Sequence, residues 1–152
     1  MTIAQTIPLT PQPWNKNPQG YVTHQSYLYE LVQWLESRET SVMLPVDRDG
    51  WDYGIDLLIC GVPVDLKGFG LREYNKSYTW DSEYYRGRPR PVYKDTQTEW
   101  FIHPTEGPPS EWLVGHVDDL HTSVYGHPPY YPKDKVVTVA ELVQDVFTSP
   151  AF

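Results

Sequence analysis

The sequence predicts a single α/β domain in which helices flank a β-sheet. An apolar stripe with helical spacing lies in the first third of the chain, short β-prone segments follow it, and a helix-start signature stands near the end. A length of 152 residues and a hydrophobic fraction of 39% fit one globular domain. We therefore expect an N-terminal arm over residues 1–20 and one folded domain over residues 21–152.

The arm is expected to be extended, because residues 1–20 contain four prolines and little periodicity. The first helix is predicted over about residues 24–37, followed by a short strand in SVMLPV (41–46) and a turn-rich connection. The apolar stripe of this helix consists of Leu28, Leu31, Val32 and Leu35.

Two strands are predicted next, over residues 54–59 and 62–68, and two more in TEWFIHP (98–104) and EWLVGHV (111–117). Residues 69–94 and 125–135 have no clear period, so we expect irregular structure there. A final short helix is predicted in TVAELVQDVF (138–147), because Thr138 precedes Glu141 by three residues and forms a capping box.

The turn between residues 59 and 62 places two carboxylates opposite each other. With a two-residue turn at Cys60-Gly61, the numbers of paired residues sum to 121, so Asp56 lies opposite Asp65. Side chains alternate along a strand, so Asp65 and Lys67 share the face that does not enter the core. Opposed residues are about 5 Å apart at Cβ, and like charges at that distance repel.

A positive group is therefore expected between the two carboxylates, either the Lys67 ammonium or a divalent cation such as Mg²⁺. A cation beside a lysine suits phosphodiester hydrolysis, because it polarises a phosphate and lowers the pKa of water. The alternative is a hairpin whose salt bridge faces solvent. The apolar neighbours of Asp56 in GIDLLI argue against that alternative.

The pattern of an aspartate, eight residues, then Asp-x-Lys resembles the core motif of the PD-(D/E)XK nuclease superfamily. This resemblance implies a restriction-endonuclease-like core with a central mixed β-sheet. It also implies a metal-dependent deoxyribonuclease, an endonuclease or an exonuclease, that hydrolyses DNA with Mg²⁺ or Mn²⁺. It also implies that Asp56, Asp65 and the Leu66 carbonyl bind the metal and that Lys67 stabilises or positions the attacking water. The sequence departs from the usual pattern of this superfamily in three ways. Ile55 stands in place of the proline before the first acid, Asp65 stands in place of the commoner glutamate, and no clear helix follows Lys67.

Many members of that superfamily carry a further acid on the first helix, and Glu30 is the candidate here. Residues 65–94 contain seven basic and four acidic residues, although the whole chain has a net charge of −8. Such a segment can hold the DNA backbone. The basic residues assigned to this role are Arg72, Lys76, Arg86, Arg88, Arg90 and Lys94.

The remaining composition bears on compartment and partners. Cys60 is the only cysteine, and the chain has neither a bilayer-spanning segment nor a signal peptide, so we expect a cytoplasmic protein without a membrane partner. A small nuclease domain is expected to form a homo-oligomer, which would allow cutting of both strands, and a phage or mobile element would suit it. The rival function is a non-catalytic acidic interaction protein, or DNA mimic, that retains the fold.

Overall fold

The structure, a computed structural model, describes residues 2–15, 17–45, 55–68, 70–79, 98–121 and 129–145. Helix α1 spans Pro18–Ser37 and helix α2 spans Val139–Asp145. The strands are β1 (Val42–Met43), β2 (Leu57–Ile59), β3 (Val62–Leu66), β4 (Arg72–Tyr74), β5 (Ser77–Thr79), β6 (Trp100–His103), β7 (Leu113–His116), β8 (Tyr130–Pro132) and β9 (Val137–Thr138). No helix in these ranges is both long enough and apolar enough to cross a bilayer.

Six of the strands form one mixed sheet in the order β1-β2-β3-β6-β7-β9. Strands β3 and β6 are parallel, and every other neighbouring pair in this sheet is antiparallel. The other three strands form a small antiparallel sheet in the order β4-β5-β8. The α/β class and the mixed sheet predicted from the sequence are therefore confirmed.

The two faces of the main sheet are covered differently. The side chains of Val64, Leu66 and Ile102 join the large apolar cluster that contains the buried stripe of α1 and residues of α2. On the opposite face, Phe101 packs with Tyr131 of the small sheet. In the part of the chain that the structure describes, helices thus lie on one face and a second sheet lies on the other.

Helix α1 begins six residues before the predicted start at residue 24, although its predicted end at Ser37 is confirmed. The Asn17 side chain accepts a hydrogen bond of 3.0 Å from the Gly20 N–H, and Pro18 occupies the first helical position. Asn followed by Pro is a typical helix start, so the signal was present in the sequence.

The expectation of an extended N-terminal arm is wrong in part. Residues Ala4–Thr6 form a 3-10 turn, and Ala4 and Ile7 are buried in the main apolar cluster. The Glu36 carboxylate of α1 accepts hydrogen bonds from the N–H groups of Ile3 and Ala4 at 3.0 and 2.8 Å. The arm is held against the helix by these bonds and by its two buried side chains.

The small sheet is the main feature that the sequence failed to predict. Strands β4, β5 and β8 form in segments expected to be irregular. Strand β9 was also not predicted. The predicted strands near residues 41–46, 98–104 and 111–117 and the final helix are present, each shorter than expected.

Candidate metal and catalytic site

The candidate site lies where strand β3 ends. The pairs Leu57↔Val64 and Ile59↔Val62 confirm the predicted register, in which residue numbers sum to 121. The turn residues Cys60 and Gly61 both have positive φ, 51° and 82°, as a tight two-residue turn of a twisted hairpin requires. The strands are shorter than predicted, because β2 begins after Asp56 and β3 ends before Lys67.

Asp56 reaches the site in a way that the register alone did not predict. Its backbone N–H donates to the Val64 carbonyl at 2.9 Å, and its Oδ2 accepts a bond of 2.7 Å from the Leu66 N–H. By the register, the acceptor for the Leu66 N–H would have been the backbone carbonyl of Ile55. The side chain of Asp56 therefore replaces a ladder bond and is fixed at the end of β3.

Asp65 is buried on the face opposite α1, with 9% of its surface exposed. Burial raises its pKa, and although the Lys67 charge lowers it, the charge of Asp56 and a hydrogen bond between the two carboxyl groups raise it further, to about 7. Asp56 therefore lies near enough to Asp65 for its charge to affect the pKa of Asp65. The role of the two acids as metal ligands stays a prediction.

Lys67 lies next to the pair, with its Nζ 3.2 Å from Oδ2 of Asp65. Only 15% of this side chain is exposed, and the ammonium also lies 5.2 Å from the centre of the Phe101 ring. Phe101 pairs with Asp65 across the parallel strands, so both occupy the same face of the sheet. The expected opposition of Lys67 and Gly54 lies outside the described residues.

His24 of helix α1 is a site residue that the sequence analysis missed. Its Nε2 lies 2.9 Å from the Leu66 carbonyl oxygen and 3.4 Å from Oδ2 of Asp56. Burial by itself lowers the pKa of His24, but its hydrogen bond with Asp56 and the charge of that carboxylate outweigh burial and raise the pKa to about 9. His24 is therefore positively charged at neutral pH.

A signal for His24 existed in the sequence. It precedes Leu28 by four residues, so it lies on the buried stripe of α1, where a histidine needs a polar partner. With the helix predicted to begin near residue 24, this histidine looked like a terminal residue. The correct start at Pro18 places it in the second turn, facing the end of the sheet.

The donors at the end of β3 are carboxylate and carbonyl oxygens, which are the ligand type that Mg²⁺ prefers. The described ranges contain no group of three or more His, Cys, Asp or Glu side chains arranged to hold a metal, as a structural zinc site requires. Mg²⁺ instead retains several waters and needs only one or two carboxylates. Asp56 and Asp65, with the Leu66 carbonyl beside them, supply such a set of oxygen donors. The pKa of Asp65 is raised by burial and by the charge of Asp56, and a cation bound here would lower it.

Several other predicted site residues are not brought to this pair. Glu30 is exposed and lies six residues beyond His24, which is about 9 Å along the helix axis and on a different side. The place of Glu30 in the site therefore stays a prediction, whereas His24 is the residue of α1 that contacts Asp56. Arg72 and Lys76 are exposed on the small sheet and its turn, whereas the basic residues Arg86, Arg88, Arg90 and Lys94 lie outside the described residues.

Comparisons of the chain with protein-family models, with curated proteins and with solved structures found no match. The superfamily resemblance therefore stands on the motif residues, and the function proposed below is derived from the geometry of Asp56, Asp65, Lys67 and His24.

Proposed function

We propose that this protein is a Mg²⁺-dependent deoxyribonuclease with a restriction-endonuclease-like core, which hydrolyses phosphodiester bonds of DNA. One observation carries the proposal: the buried Asp65 and the nearby Asp56 lie at the end of strand β3, with Lys67 3.2 Å from Asp65 and His24 3.4 Å from Asp56. The pKa of Asp65 is raised by burial and by the charge of Asp56, and perturbed acids of this kind are typical of functional sites.

The order of elements supports the proposed core. Helix α1 comes first, the hairpin of β2 and β3 carries the motif, and the parallel strand β6 lies beside β3 in a mixed sheet. The small sheet of β4, β5 and β8 takes the place of a helix immediately after Lys67 in the described residues. We regard it as an elaboration of the core that covers the face carrying Asp65.

In the proposed reaction, Asp56, Asp65 and the Leu66 carbonyl would hold the metal. Bound Mg²⁺ supplies Lewis-acid chemistry, which neutralises phosphate charge and makes water more acidic. The Asp65 carboxyl, whose pKa is about 7, would have to be ionised to serve as a ligand, and the charge of a cation beside it would favour that form.

Lys67 and His24 have separate roles. The Lys67 ammonium would move from Asp65 toward the phosphate, where it balances the charge that develops in the transition state or holds the attacking water. His24 bonds the Leu66 carbonyl and lies against Asp56, so it orients two of the three metal donors. We therefore assign His24 as a positioning residue.

The test is cleavage of supercoiled, linear and branched DNA in Mg²⁺. We expect the natural protein to cut at least one of these substrates, and Lys67→Ala to reduce the rate by about 100-fold or more. Lys135→Ala is the matched control, because it removes an exposed lysine of a 3-10 turn away from the site. Chelation of the metal should stop cutting by both the natural protein and Lys135→Ala.

The rival function predicts a different result. A non-catalytic acidic interaction protein would cut no substrate, and its Tm would not rise when Mg²⁺ or Mn²⁺ is added. We expect instead that either ion raises the Tm of the natural protein and that Asp56→Asn abolishes the increase. Homo-oligomer formation, which belongs to the same proposal, is measured by light scattering with and without DNA.

A further inference from the structure

The small sheet presents one face to the candidate site and the other to solvent. Cross-strand partners form three rows, and the middle row contains Tyr78 and the buried Tyr131. Tyr131 packs against Phe101 of the main sheet, so the middle row faces inward. Because side chains alternate along strands, the two outer rows face away from the main sheet.

This outward face carries exposed aromatic rings. Tyr74 exposes 69% of its surface and Tyr130 exposes 36%. The ring of His121 stacks on Tyr130, with centroids 4.7 Å apart and planes within 9° of parallel. A sheet face turned to solvent ordinarily carries polar side chains, so large flat rings at these positions indicate a contact surface.

The charge on the same face is positive. Arg72 lies in the outer row with Tyr130, and Lys76 lies in the turn that follows Tyr74. The acid of β4, Glu73, belongs to the middle row and pairs with Lys133 at 2.8 Å. Among the described residues, the outward-facing positions of the three strands carry no carboxylate, although the chain has a net charge of −8. A surface of this kind is suited to a polyanion.

We propose that the outward face of the small sheet, formed by Tyr74, Tyr130 and Arg72 with Lys76 beside it, is a base-stacking platform for single-stranded DNA. Exposed aromatic rings next to cationic side chains bind unpaired bases through stacking and phosphates through charge. Bases of an intact duplex are already stacked and cannot cover these rings. The platform therefore selects substrates with an unpaired strand, such as single strands, flaps or branches.

The platform is close to the candidate site, which links it to the proposed function. Tyr131 lies on the inner side of the same sheet, where burial raises its pKa and the charge of Asp65 raises it further. Phe101, which packs on Tyr131, lies under the Lys67 ammonium. As an account of substrate choice, the inference rests on the proposed nuclease function, while the binding itself requires neither metal nor cleavage.

The experiment measures binding in EDTA, where no cutting occurs, by fluorescence anisotropy of a labelled oligo-dT of about 20 nucleotides. We expect Tyr74→Ala to weaken binding by about tenfold and Tyr74→Phe, which keeps the ring, to bind as the natural protein does. Trp14→Ala is the matched control, because Trp14 is also 69% exposed but lies on the N-terminal arm. It should leave affinity unchanged.

Three results would overturn the platform: equal affinity of the natural protein and Tyr74→Ala, equal weakening by Trp14→Ala, or tighter binding to a duplex of the same length. Tighter binding of oligo-U would overturn the assignment to DNA. The outcome is separable from that of the proposed function. Loss of oligo-dT binding in Tyr74→Ala without any cleavage by the natural protein supports the platform alone, whereas cleavage that needs Lys67 but ignores Tyr74 supports the nuclease alone.

Discussion

In the absence of metal, Asp65→Asn should become more stable relative to the natural protein as the pH rises. The pKa of Asp65 rises from 3.8 in the unfolded chain to about 7 in the fold, so the unfolded chain loses this proton first and stability falls between those pH values. The penalty is about 4 kcal/mol at pH 8 and about 2 kcal/mol at pH 5. Relative to the natural protein, Asp65→Asn should therefore gain about 2–3 kcal/mol between pH 5 and pH 8.

The assay is urea unfolding in EDTA at both pH values, followed by the fluorescence of the six tryptophans. The comparison between two pH values isolates the carboxyl group, because the loss of the Lys67 partner affects Asp65→Asn similarly at pH 5 and pH 8. Asp134→Asn, which changes an exposed aspartate of a 3-10 turn, is the control and should show no comparable dependence.

The absence of this gain would refute the reasoning. If the pKa of Asp65 were lowered below 3.8 in the fold, the carboxyl would be ionised in both the folded and the unfolded state from pH 5 to pH 8, and the stability of Asp65→Asn relative to the natural protein would be the same at the two pH values. Asp65 would then be the ordinary salt-bridge partner of Lys67, and the need for a further cation at this pair would disappear.

Two further variants test the surroundings of the site. His24→Gln removes a group whose pKa is raised to about 9. Between pH 6 and pH 10, the free energy of unfolding of the natural protein should therefore fall by about 3 kcal/mol relative to that of the variant, as measured by urea unfolding. The histidine contributes fully below its unfolded pKa of 6.5 and loses its contribution as the pH passes 9. Gly115→Ala should lower the free energy of unfolding by about 2–3 kcal/mol, because its Cβ would overlap the Tyr131 ring, whereas Gly68→Ala, with nothing within 4 Å of its Cβ, should change it little.

The site was predictable from the sequence where local rules decide the structure. The two-residue turn at Cys60 and Gly61 fixes the hairpin register, and the alternation of side chains along a strand explains the approach of Asp65 and Lys67. The role of Asp56 as an acceptor for the Leu66 N–H did not follow, because it depends on where β2 begins. A change of one residue at a strand end decides whether a side chain or a carbonyl completes the ladder.

The small sheet could not be predicted for a different reason. Its strands have three residues each, and β4 is fully exposed, so they show no buried alternation. What stabilises them is non-local: the Tyr131 ring packs on Gly115, which leaves space because it lacks a side chain. Only Asn75, which adopts a positive φ of 54° in the turn between β4 and β5, gave a local signal.

The arrangement of charges distinguishes a functional site from a structural ion network. Two acids and two cations would form such a network if each acid were neutralised by its own partner, and the pKa of a buried aspartate would then be lowered. Here Lys67 contacts Asp65 and His24 contacts Asp56. The pKa of Asp65 is nevertheless raised, because burial and the nearby charge of Asp56 outweigh the lowering by Lys67. Asp65 therefore has the perturbed pKa that is typical of functional sites, and a divalent ion bound beside the two acids would favour the ionised form of both.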